Sequence, residues 1–346
     1  LRDMLTDGVI SGVGSVLVFL PNIMILYLFI SFLEDSGYLA RAAFIMDKVM
    51  HRMGVHGKSF IPMVMGFGCN VPAVMACRTI ECRTSRIITI MVIPFMSCSA
   101  RLPIYMMIVG TFFSAHAGTV LFLLYVFGML LAVVSARLMR RFMFREQEAP
   151  FVMELSPYRL PTARTTLRHM WSKCAQYLKK MGGLILIASI VVWLLSYYPR
   201  PEQADSETYV PNYEQSYMGH IGKLCQPVFE PMSFDWQESV AIVSGIPAKE
   251  IVVSTMSVLY TQPGDEIAEA DESLSPSIKG RLKNSMSLPS AVAFLIFTLL
   301  YLPCVATIMA IGSELNWRWA VGSAVYNTAV AWIMAYVAYL ITQLLV

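Results

Sequence analysis

Hydrophobic positions along this chain come in long unbroken stretches and rarely alternate. Apolar runs extend over about Val9–Leu33, Ile87–Val109, Thr119–Met139, Gly182–Tyr198, Leu288–Ile311 and Trp319–Val346. A hydrocarbon layer about 30 Å thick takes roughly 20 helical residues to cross, so each run predicts a membrane-spanning helix. Tyr38–Met53 differs, with Arg41, Lys48 and Arg52 on one side of an otherwise apolar helix. Two further apolar stretches are interrupted. Phe60–Cys77 contains Pro62, Gly66, Gly68 and Pro72, and Trp236–Tyr260 is broken at Gly245 and Pro247. Stretches 199–235 and 261–287 are polar and read as loops. The expected fold is therefore an all-α polytopic integral membrane protein. It has about seven spanning helices, counting Trp236–Tyr260, plus broken or re-entrant segments.

Charge orients this pattern. The basic segments Arg41–Lys58, Arg78–Arg86 and Arg137–Lys180 fall on one face if the chain starts on the other and Phe60–Cys77 does not cross. The acidic stretch 199–235 then lies opposite. With seven crossings the C-terminus would lie on the basic side. The expected organisation is a first half, 1–146; a basic linker with an amphipathic helix, 147–181; and a second half, 182–346.

Composition narrows the class. Of 346 residues, 56% are hydrophobic and only 14% charged, against about 25% charged in soluble domains. The mean hydropathy is +0.59. These values exclude a disordered chain and argue against a soluble enzyme. The net charge of +3, with no basic stripe interleaved with aromatics, predicts no nucleic-acid partner. Gly57-Lys58-Ser59 lacks the upstream glycine of a phosphate-binding loop, where Arg52 stands. The seven cysteines contain no CxxC pair, so no disulfide framework is expected.

Two strings read S-G-x-x-A-[RK]: Ser36–Arg41 and Ser244–Lys249. Each precedes a broken apolar segment bearing a cysteine, Cys69 or Cys304. The two spacings differ by the length of the polar stretch 261–287, which suggests two pseudo-repeated halves with one insertion. Interrupted helices at matching positions point to a transporter's binding site.

The densest chemistry lies at the interruptions. In Pro62–Ala73, two glycines and two prolines preclude a regular helix, and Cys69 and Asn70 sit at the break. Irregular backbone at membrane depth is tolerated only when packed in protein or lining a wet path. In Pro94–Pro103, Cys98 lies between Ser97 and Ser99, followed by Arg101; an intramembrane charge of this kind faces the bundle interior. In Leu302–Thr307, Cys304 follows Pro303. Glu250, an acid in an apolar stretch, suits either a cation ligand or a partner for Lys249 or Arg101. Thiols with nearby Met65 and Met96 form a soft-ligand environment suited to copper(I), zinc or iron.

These residues resemble a known family. Glu34–Arg41, Gly68–Ala73, Ser97–Pro103, Gly245–Glu250 and Leu302–Thr307 are similar to the membrane domain of the ferrous iron transport protein FeoB family, over nearly the whole chain. Segments 60–77 and 299–312 resemble that family's two gate motifs, with backbone breaks at Gly66, Gly68, Pro72 and Pro303. The resemblance implies a bacterial inner-membrane importer with Fe(II) as transported substrate. Cys69, Cys98 and Cys304 would contact the metal; Asn70, Met65, Ser97, Ser99 and Glu250 would support its path. It also implies a GTP-binding domain upstream in the full-length protein, so GTP would act only through that domain and this chain itself would not be an enzyme. Membrane lipid, small soluble Feo proteins and further copies of the chain are the other partners implied.

Two other readings compete. A transporter of nucleosides or other small organic solutes also uses gate-type broken helices, and would depend on Asn70 and Glu250 but not on three thiols. A membrane enzyme or thiol redox sensor needs a base beside its nucleophile, and no histidine falls in a spanning run.

Overall fold

A computed structural model describes residues 11–143, 161–198, 216–260 and 276–345. Among them every regular element is helical. The first half comprises α1 (Ser11–Asp35), α2 (Tyr38–Met53), α3 (Phe60–Gly68), α4 (Asn70–Ala76), α5 (Arg83–Val92), α6 (Leu102–Phe112) and α7 (Ala117–Met143). The linker region supplies α8 (Ala163–Tyr177), which runs through a π turn into α9 (Gly183–Tyr197). The second half comprises α10 (Tyr217–Phe229), α11 (Trp236–Ser244), α12 (Glu250–Tyr260), α13 (Pro276–Ser285), α14 (Leu288–Leu300), α15 (Val305–Glu314) and α16 (Trp317–Leu345).

Four stretches among the described residues are long and apolar enough to cross a membrane: Arg83–Phe112, Ser114–Met143, Leu288–Glu314 and Trp317–Leu345. The first and third are composites, α5 with α6 and α14 with α15, each interrupted near its middle. The second and fourth are almost wholly single helices, α7 and α16.

The expected count of seven crossings is revised at Trp236–Tyr260, which turns back on itself. The Tyr260 hydroxyl, at the end of α12, donates to Glu238 Oε1, at the start of α11, at 2.8 Å. Both ends of this hairpin therefore lie together. Phe60–Ala76 does the same from the other side: Lys58, just before α3, pairs with Glu81, just after α4, at 2.7 Å. This agrees with the expectation that the first gate segment does not cross.

The basic segments gather at one face, as their charge pattern predicts. Lys173 of α8 reaches Glu34 at the end of α1 at 2.6 Å, and His169 lies 3.2 Å from Asp35. The Arg137 Nε of α7 donates to the Arg52 carbonyl at 2.9 Å. Glu314, closing α15, pairs with Arg78 and Arg86. The opposite face is tied by Ser233, whose hydroxyl lies 2.8 Å from that of Tyr339 and whose carbonyl accepts from Ser290 at 3.2 Å. Chain direction then places the end of α16 away from the basic face.

Two further expectations change. Parts of the polar stretches form helices, α10 within 199–235 and α13 within 261–287; residues 199–215 and 261–275 lie outside the described set. In α10, Met218, Gly222 and Phe229 are buried at helical spacing, an amphipathic pattern hidden by its charged neighbours. The two S-G-x-x-A-[RK] strings also occupy unlike places. Ser36–Arg41 turns from α1 into α2 at the basic face, whereas Ser244–Lys249 forms the inner tip of the α11–α12 hairpin.

Candidate functional site

Each interruption has a local cause. The α3 helix stops at Gly68, and Cys69 is extended (φ −151°, ψ 131°) before α4 begins. Pro72 then falls in the first turn of α4, where a missing N–H leaves no helical bond unmade. The second interruption places a 3₁₀ turn at Ile93–Phe95, an extended run to Cys98 (φ −76°, ψ 160°), and another turn at Ser99–Arg101. The fourth follows α14, where Pro303 prevents continuation and Cys304 (φ −57°, ψ 154°) starts α15. The third is the hairpin tip at 245–249. Thus Cys69, Cys98 and Cys304 each stand as the extended residue before a new helical segment.

The four interruptions meet at mid-span. The Ser99 hydroxyl donates to the Gly68 carbonyl at 2.9 Å, joining the second break to the first. The Val305 N–H donates to the Ile246 carbonyl at 3.2 Å, joining the fourth to the hairpin tip. The short helices α4 and α15 pack directly on one another. The breaks that bear Cys69, Cys98 and Cys304 and the tip that precedes Glu250 are consequently neighbours. Their side chains do not close into a coordination cluster: among the described residues, no three His, Cys, Asp or Glu converge to hold a metal ion.

The remaining predicted residues divide. Asn70 is 5% exposed and its Oδ1 has no hydrogen-bond donor. Buried acceptors without partners are rare and mark places where water or an ion binds. Gly66 lets α3 pass close to the second break, since a Cβ there would lie 3.1 Å from Met96 Cβ and 3.6 Å from Asn70 Oδ1. Ser97 is turned into packing, bonding the Tyr105 hydroxyl at 3.0 Å. The Cys304 thiol lies 3.2 Å from the Thr307 hydroxyl. Glu250 is half-buried at the start of α12 and forms no ion pair with Lys249 or Arg101 among the described contacts. Arg101 is 1% exposed, interior as its cost in lipid requires, and donates to the Pro94 and Met96 carbonyls at 3.1 and 3.4 Å.

Three features escaped the sequence reading. Lys249 is as buried as Arg101 and caps the Leu302 carbonyl at 2.9 Å; a lysine within an apolar run was the available signal. Tyr301, also buried, presents its ring to that ammonium. A cavity of about 460 Å³ runs inward from the basic face, where Glu34, Lys58, Arg78 and Lys173 line it, to Met65 and Tyr27. Pro72, three residues after Cys69, lines it too. The cavity therefore approaches the first break from the basic side.

Interrupted helices buried inside a frame of apolar spans define an all-helical integral membrane protein. Comparison with known proteins makes this specific. The family described as "Gate: Nucleoside recognition" matches residues 16–112 and 178–318, and "Ferrous iron transport protein B C terminus" matches 121–173. The chain belongs to the Gate family and, within it, is the membrane part of a FeoB-type protein. It is 51% identical over 98% of its length to a Fe(2+) transport protein A/Fe(2+) transporter FeoB fusion protein of Porphyromonas gingivalis, of which it covers 44%. It is 44% identical over 91% of its length to Fe(2+) transporter FeoB of Campylobacter jejuni, covering 51%. With that of Methanocaldococcus jannaschii it is 42% identical over its full length, covering 50%. The chain thus spans about half the length of these relatives. No solved structure matches it.

Proposed function

We propose that this chain forms the path by which Fe(II) crosses the cytoplasmic membrane, entering the cell where the four interruptions meet. The observation that carries the reading is that Cys69, Cys98 and Cys304 each stand at a break of their own, and that these breaks are linked by hydrogen bonds and helix packing. Because three ligands do not converge, the ion is handed between single thiols, the freed carbonyls and Asn70, with Glu250 as the acid at the hairpin tip. Loose ligation suits passage, since a path must release what it binds. Fe(II) lies low in the Irving–Williams order and zinc binds thiolates more tightly, so selectivity rests on geometry and metal supply. The cavity leading from Tyr27 to the basic face is the route inward, with that face cytoplasmic.

The order of elements supports two halves related by inversion. Residues 60–143 run as hairpin, interrupted span and continuous span starting from the basic face; residues 236–345 contain the same order starting from the other. Inverted repeats of this kind place substrate at the midplane. The names of the relatives extend the reading to the whole protein: a GTP-binding domain upstream, and a small transport-protein-A partner, which the P. gingivalis relative carries fused.

Anaerobic Fe(II) binding to the purified chain tests the path against Cys69→Ser, Cys98→Ser and Cys304→Ser. Affinity is expected to fall in at least two variants, each by about tenfold or more, one lost ligand being worth over 1.4 kcal/mol. Equal binding by all four proteins would overturn it, as would absent iron binding alongside thiol-independent binding of a nucleoside.

A further inference from the structure

The mid-span site carries more positive charge than an iron path would be expected to hold. Two cations, Arg101 and Lys249, are 1% and 2% exposed. Each sits beside a thiol-bearing break: Arg101 three residues after Cys98, and Lys249 on the Leu302 carbonyl, two residues before Cys304. Arg101 is committed to the backbone of its own break, bonding carbonyls five and seven residues before it. Lys249 is different, because it reaches out of its own segment. From the α11–α12 hairpin tip its ammonium crosses to α14–α15, where it sits 2.9 Å from the Leu302 carbonyl and 3.0 Å from the centre of the Tyr301 ring.

That carbonyl is open because Pro303 ends the helix. A freed carbonyl and an aromatic face beside a thiol are the groups that attract a mobile cation. Close approach is built in: Gly245 lies so near Tyr301 that a Cβ there would come 2.6 Å from its hydroxyl. That hydroxyl has no hydrogen-bond partner, and the ring face is what meets the ammonium.

We propose that Lys249 is a tethered surrogate cation, occupying in this state the position that an iron ion takes beside Leu302, Tyr301 and Cys304. This rests on the iron path above and adds to it a competition. A divalent ion cannot share the site with the ammonium, both because the carbonyl is taken and because like charges repel strongly where water is scarce. Iron entry therefore requires the hairpin tip to withdraw Lys249, and withdrawal of iron lets it return. The thiol-bearing break and the hairpin are thereby coupled, and the path stays closed to cations when no iron occupies it.

The test is anaerobic Fe(II) binding to the purified chain, to Lys249→Met and to Lys249→Arg, with thermal unfolding to confirm folding. Lys249→Met is expected to bind at least about tenfold more tightly, since one unit charge removed at a few ångströms exceeds that factor, and Lys249→Arg to bind as weakly as the unaltered chain. Adding Cys304→Ser to Lys249→Met is expected to abolish the gain. If Lys249→Met does not fold, the unaltered chain decides: saturating Fe(II) should make Lys249 more reactive to an amine-acylating reagent, read by mass spectrometry. Unchanged affinity in a folded Lys249→Met, or unchanged labelling in a chain that binds iron, overturns this proposal and leaves the path standing. Failure of every form to bind Fe(II) overturns both.

Discussion

The spans Arg83–Phe112 and Leu288–Glu314 are interrupted near their middles, and 72% and 67% of the residues in an apolar 18-residue stretch of each are buried, whereas Ser114–Met143 and Trp317–Leu345 run on, with 22% and 11%. The difference follows from the backbone. A continuous helix satisfies its own N–H and C=O groups and can present Phe122 and Val325, both about two-thirds exposed, to lipid. An interrupted one leaves groups open, and hydrocarbon offers them nothing. Its breaks need partners from protein or water, as when Ser99 and Lys249 supply donors to Gly68 and Leu302. Interior position and the cation binding proposed for the breaks thus share one origin: the groups that forbid lipid contact are those an ion could use.

Four variants would break or sharpen this contrast, each read as an unfolding curve in one detergent. The largest effect is expected from Phe294→Ala, which opens a cavity at a fully buried position of the interrupted span and should lose about 3–5 kcal/mol. Val325→Ala on the continuous span should change stability by no more than about 0.5 kcal/mol. Similar losses in both would show that α16 is not a lipid-facing element. Next comes Gly128→Val. Gly128 lies on continuous α7, but a Cβ there would come 2.8 Å from the Phe95 carbonyl. It marks where the outer frame presses on the second break. A loss of roughly 1–3 kcal/mol from overpacking is expected; no loss would mean that the break yields. The smallest loss apart from that of Val325→Ala is expected from Glu314→Gln. The Glu314 side chain is 3% exposed and holds Arg78 and Arg86, clasping the ends of α4 and α15. With both arginines partly in solvent, the loss should be about 1 kcal/mol. A loss as large as that of Phe294→Ala would place the clasp, rather than the buried breaks, at the centre of the fold.

Legibility in the sequence varied with the range of the interactions. Pro62, Gly68, Pro94 and Pro303 disclosed the interruptions, because proline and glycine act on the backbone within a turn. The thiols, Asn70 and the interior place of Arg101 were readable for the same reason, each lying next to a breaker in an apolar run. The turning back of Trp236–Tyr260 was not, since an interrupted span and a hairpin share one composition and differ only in where Tyr260 finds Glu238. The matching strings at Ser36 and Ser244 misled as markers of the repeat, because six residues alike in type take opposite roles at a surface turn and a buried tip. Helices α10 and α13 were hidden in polar stretches whose few apolar residues are spaced for burial.

By itself, then, the sequence determined that this is a membrane protein, where its helices must stop, and which thiols stand at the stops. Only the tertiary structure decided that the four stops pack against one another, and that Lys249 donates to the Leu302 carbonyl, two residues before Cys304. Breaking a helix is a local event set by φ restriction and a missing donor. Filling the opening depends on which segment, 53 residues away in the case of Lys249 and Leu302, packing brings against it.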